Sequence, residues 1–64
     1  MTARDVMNRL RHEGWAERPG RGLHPVFVKP GRDVLPVPSH RGDLSPGTLR
    51  SIARAAGWDW PPWR

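Results

Sequence analysis

A chain of 64 residues has room for one domain with a thin core, because a fold this small buries only roughly 60% of the surface its unfolded form exposes. It holds no cysteine, which excludes disulfide staples and thiolate metal sites, and no apolar run approaches the ~20 residues of a membrane span or the layout of a signal peptide. Eleven Lys and Arg against six Asp and Glu give a formal net charge of +5, a balance that points to nucleic acid or an acidic partner rather than a membrane, with the cytoplasm as the expected setting.

Thr2 and Asp5 have the spacing of a capping box and predict a helix over residues 3–13. Ala3, Val6, Met7 and Leu10 recur on one stripe, and Gly14 supplies a left-handed cap. A short strand is expected over 15–18, then a turn through Pro19, Gly20, Arg21 and Gly22. A second strand runs from Leu23 or His24 to Lys29, with Val26, Phe27 and Val28 as its bulk. Pro30, Gly31 and Arg32 form a hairpin loop, and a third strand spans 33–38, where Pro36 and Pro38 argue for an edge.

After a polar connection over 39–44, Ser45 as N-cap and Pro46 at the first helical position open a second helix. Leu49, Ile52, Ala53 and Ala56 form its buried face, Gly57 ends it, and Arg50 and Arg54 make a basic ridge on another side. Residues 58–64 are a tail of three tryptophans and two prolines, expected to pack back on the domain at 1–57, with partner contact or RNA stacking as the alternatives. The fold class is therefore α+β, in the order α-β-β-β-α.

Elimination narrows the chemistry. The acidic residues are scattered singly and no His-x-x-x-His spacing occurs, so no metal site is expected. The glycines near residue 20 lack the ending of a nucleotide-binding loop, so no cofactor is expected either, and no serine stands in a hydrolase context. What remains is histidine, the side chain suited to moving protons near neutrality. RNA brings its own nucleophile in the 2′-hydroxyl and can be cleaved without metal where a base, an acid and cations converge. His12, His24 and His40 are the candidates: His12 belongs to a helix end, His24 to the mouth of a glycine turn, and His40 to a loop beside Arg41.

Gly22, Leu23, His24, Pro25, Val26 and Phe27 resemble the Gly-Ser-His-x-x-aromatic motif of HicA-type mRNA interferase toxins. Val37, Pro38, Ser39 and His40, then the run from Leu44 through Gly47, Thr48, Leu49, Arg50, Ser51 and Ile52 to Ala56 and Gly57, are similar to later motifs of that family. The resemblance implies a three-stranded antiparallel sheet packed on two helices, like the double-stranded-RNA-binding domain. It also implies metal-independent cleavage of mRNA with His24 as the catalytic residue, and neutralisation by a HicB-type antitoxin. Gly22, Arg21, Lys29, Arg32, His40 and Arg41 are the expected RNA-contacting residues. Leu23 stands where the family has serine, and Pro25 where it often has a second histidine. A non-catalytic RNA-binding module of the same fold is the alternative these two departures raise.

Overall fold

The computed structural model describes residues 1–20, 22, 24–39 and 41–63. Helix α1 spans Ala3–His12 and starts on the reciprocal box expected for it. The Asp5 N–H donates to Thr2 Oγ1 at 3.1 Å and the Thr2 N–H donates to Asp5 Oδ2 at 2.9 Å. Helix α2 spans Pro46–Ala56, with the Ser45 hydroxyl accepting from the Thr48 N–H at 3.3 Å.

The two helices end alike. Gly14 and Gly57 adopt positive φ, and each is followed by a tryptophan whose N–H reaches back to a helical carbonyl, Trp15 to Leu10 at 3.0 Å and Trp58 to Ala53 at 2.8 Å. This is the 6→1 bond of a Schellman motif, which places an apolar residue after the glycine against the last turns of its helix. Both rings are buried, and each is covered by a cation, Lys29 Nζ at 5.9 Å from the Trp15 centroid and the Arg9 guanidinium at 4.2 Å from that of Trp58.

Three antiparallel strands, β1 (Ala16–Arg18), β2 (Val26–Val28) and β3 (Leu35–Pro36), lie in the order β1-β2-β3. All are shorter than the sequence suggests. β2 begins at Val26, so His24 stands two residues before the strand rather than at its start. β3 keeps only two residues of the expected 33–38, since Pro36 and Pro38 have no N–H for a ladder and Asp33 and Val34 stand exposed before it.

Phe27 sits opposite Glu17 on one side and Leu35 on the other, which puts these three side chains on one face of the sheet. That face carries the core: Val6 and Leu10 of α1, Phe27 and Leu35 of the sheet, and Leu49, Ile52 and Ala53 of α2, joined by Trp15, Val37, Leu44 and Trp58. Phe27, at its centre, has no exposed surface. The helices therefore back a single sheet in an α+β arrangement.

Candidate active site

The ladder decides which residues meet at the end of the sheet that carries the β1–β2 turn. Two places beyond the Arg18–Val26 pair, the β1–β2 register sets Gly20 opposite His24; two places beyond the Val26–Pro36 pair, the β2–β3 register sets Pro38 opposite His24. The β2–β3 pairing persists at least one step, because the Val37 N–H donates to the Pro25 carbonyl at 3.0 Å. Pro25 thus lies just outside the ladder and contributes an acceptor where it has no donor to give.

His24 is exposed, and its ring is held by a single described bond: the Ser39 N–H donates to Nδ1 at 3.1 Å. A proton on Nδ1 would oppose that N–H, so in this contact the neutral ring carries its proton on Nε2. The β2–β3 hairpin is what brings Ser39 to a histidine fifteen residues earlier.

Gly20 explains how the backbone reaches this geometry. A Cβ there would collide with the His24 carbonyl oxygen and approach Val26 Cγ1 at 3.0 Å. Glycine is required at this point for the close approach of two backbone segments. Gly22 has a different role: its φ of 61° lies in the left-handed region, with open space around it.

A groove of about 720 Å³ opens beside His24, lined by Met7 and Arg11 of α1, Glu17 and Arg18 of β1, and Pro19, Gly20, Gly22 and Pro25. Arg11 holds Glu17 Oε1 through Nε at 3.0 Å and Nη2 at 2.6 Å, and Asn8 Oδ1 through Nη1 at 3.1 Å. Arg18 is exposed, and its guanidinium has no hydrogen-bonding or ion-pair partner among the described residues. One guanidinium is thus fixed by a carboxylate, while the other is available to an anion. Val26, Pro36 and Pro38 make a second, apolar depression with His24.

The residues singled out from sequence divide accordingly. Gly22 lines the groove with His24. Lys29 follows β2 whereas His24 precedes it, about 16 Å away along an extended chain, and its Nζ donates to the Glu13 carbonyl at 2.8 Å. Arg32 lies against Gly57, in a separate depression with Ser51 and Arg54. Neither joins the His24 groove, because the tight β2–β3 turn carries both to the opposite end of the sheet. Arg41 is exposed two residues after Ser39 and does not line the groove. Arg21 and His40 lie outside the described residues, as does Leu23. His12 is exposed in the last turn of α1. Arg11, Glu17 and Arg18 were not expected here; the pairing of Glu17 with Phe27 and of Arg18 with Val26 is the signal that places them near the turn.

Among the described residues no three His, Asp or Glu side chains gather where they could share a metal ion, and no helix is long and apolar enough to cross a membrane. The family model described as the HicA toxin of bacterial toxin-antitoxin systems matches residues 3–58. No curated protein and no solved structure gives a match.

Proposed function

The chain belongs to the HicA toxin family of bacterial toxin-antitoxin systems, and from that premise we propose that it is a metal-independent endoribonuclease acting on mRNA, with His24 as its catalytic residue and a HicB-type antitoxin as its partner in the cytoplasm. The observation that carries the reading is the exposed His24 ring, held by the Ser39 N–H at the edge of a groove that also holds the Arg18 guanidinium, which has no partner among the described residues. The α-β-β-β-α order agrees with the double-stranded-RNA-binding resemblance and supports a surface that reads RNA through phosphates and shape.

In this reaction the RNA 2′-oxygen attacks the adjacent phosphorus, a 2′-O–P bond forms, and the P–O5′ bond breaks. The 2′-hydroxyl loses its proton and the departing 5′-oxygen gains one, leaving a 2′,3′-cyclic phosphate. Arg18 holds the non-bridging oxygens, and Arg11 adds positive charge that Glu17 partly cancels. His24 transfers a proton through Nε2. As a base it takes the 2′-hydroxyl proton there, which requires the tautomer protonated on Nδ1; as an acid it gives up a proton from the doubly protonated ring. Either state puts a proton on Nδ1 and releases the Ser39 N–H, for which a phosphate oxygen is a ready acceptor. Substrate binding and activation of the ring are therefore one event in this scheme.

The test uses end groups. Unstructured RNA incubated with the full chain in excess chelator is expected to give 2′,3′-cyclic phosphate ends, and a strand with 2′-deoxy sugars is expected to stay intact. Cleavage of the deoxy strand, or cleavage only after metal is added, contradicts the reading.

A further inference from the structure

Away from the His24 groove, two indoles stand in solvent near the end of the chain. Trp60 is 38% exposed and Trp63 64%, with ring centroids 6.1 Å apart and planes tilted by 60°. They do not hang from a loose tail. Trp58 is buried and its Nε1 donates to Glu13 Oε1 at 2.6 Å. Pro62 is buried as well, and its carbonyl accepts from Arg9 Nη1 at 2.6 Å. Anchors on both sides of Trp60, the second directly before Trp63, hold this segment against the domain, although exposed aromatic surface contributes nothing to the stability of the chain itself.

The surroundings are cationic. The Arg50 guanidinium lies 5.2 Å from the Trp60 centroid, and Arg54, one turn further along α2, lines the same groove with Trp58 and Trp60. The Arg54 guanidinium has no hydrogen-bonding or ion-pair partner among the described residues. Asp59 is the one acidic residue among residues 58–64. Open aromatic faces beside guanidinium groups are how proteins hold single-stranded nucleic acid, the bases stacking and the cations following the phosphates. An acidic peptide would satisfy the arginines and leave the rings unused, whereas one nucleotide supplies both a flat base and a phosphate.

We propose that Trp60, Trp63, Arg50 and Arg54 form a second RNA contact that takes unpaired bases of the substrate strand. The inference rests on reading the chain as an RNA enzyme and adds that its substrate is single-stranded where it meets this surface. Its test does not involve cleavage. The full chain is titrated into a fluorescein-labelled 2′-O-methyl adenylate strand of about twelve nucleotides, which lacks the free 2′-hydroxyl. Trp63→Ala and Trp60→Ala are each expected to weaken binding about tenfold, the order of one lost stack, whereas Trp63→Phe keeps most of the affinity. Arg50→Gln with Arg54→Gln is expected to flatten the dependence of log affinity on log salt by roughly 1.4, at about 0.7 per phosphate contact on a single strand.

Unchanged affinity in both alanine variants, with the wild-type melting curve retained, overturns the proposal. So does tryptophan-dependent binding of a polyglutamate peptide with no such effect on the oligonucleotide, which makes the surface a protein site. Loss of the His24 reaction with tryptophan-dependent binding intact refutes the reading of the enzyme and leaves this contact standing; His24-dependent cleavage with tryptophan-independent binding does the reverse.

Discussion

Replacing Gly20 by alanine adds one methyl group at the point where the first hairpin passes the His24 backbone. That methyl lands on the His24 carbonyl oxygen and lies 3.0 Å from Val26 Cγ1. Val26 is paired on both sides of β2, and His24 presents its backbone rather than a flexible side-chain tip. The His24 backbone has to retreat by about 1 Å, a displacement that costs on the order of 10²-fold in rate when it misplaces a catalytic group. Overpacking of this kind destabilises by about 1–3 kcal/mol. A 64-residue domain has roughly 3–10 kcal/mol in total, so the variant still folds in the cold while its Tm falls by several degrees. Gly22→Ala is the control: its positive φ costs about 1 kcal/mol or somewhat more, but nothing lies within 4 Å of the added methyl. Single-turnover RNA cleavage, measured well below both melting temperatures, is expected to be much slower in Gly20→Ala than in Gly22→Ala. Equal rates in the two variants would refute the claim that Gly20 positions His24.

Three further outcomes are expected. The Asp5 carboxyl is held below the usual carboxylate range, first by the Thr2 backbone N–H and then by the Thr2 side chain; the charged form is favoured in the folded state, so its contribution is present above the unfolded value near 4 and is lost as pH falls through the lower folded value. Melting curves from pH 6 down to pH 2 should therefore lose less for Asp5→Asn than for the wild type, and identical acid limbs would contradict the capping-box account. Trp58→Phe removes the bond from Nε1 to Glu13 and is expected to cost about 2 kcal/mol, near 10 °C in Tm; a double-mutant cycle with Glu13→Ala, which removes the acceptor, should recover most of that as coupling, and strict additivity would show that the bond contributes nothing. Nitrogen NMR of His24 in the free protein should show Nδ1 as the unprotonated nitrogen of the neutral ring, because it accepts from Ser39; a ring protonated on Nδ1 would exclude that contact.

Local signals in the chain were readable where one residue type has one physical use. Thr2 with Asp5, and Ser45 with Pro46, marked both helix starts, and Gly14 and Gly57 marked both ends. The periodic apolar residues gave the core faces of both helices, and β-branched bulk located β2. Strand lengths were harder, because alternation continues through Pro36 and Pro38 after the ladder has lost its donors. The same limit affected the site. His24 was legible from chemistry and motif, but which cations accompany it depends on hairpin register. Lys29 and Arg32 are near in sequence and far in the fold, whereas Arg11 and Arg18 reach the groove through helix packing and strand pairing. Trp58 reads with the tryptophans that follow it, yet its ring belongs with the core because Gly57–Trp58 repeats the Gly14–Trp15 closure.

The central claim is that His24 moves a proton during cleavage of RNA. Its most direct test is the single-turnover cleavage rate of the wild type beside His24→Ala in excess chelator, with Arg18→Ala for comparison and melting curves to confirm folding. Loss of a positioned proton-transfer group predicts a fall of about 10²–10⁴-fold for His24→Ala, and loss of a charge clamp about 10²-fold for Arg18→Ala. A folded His24→Ala protein that cleaves RNA at the wild-type rate would contradict the account.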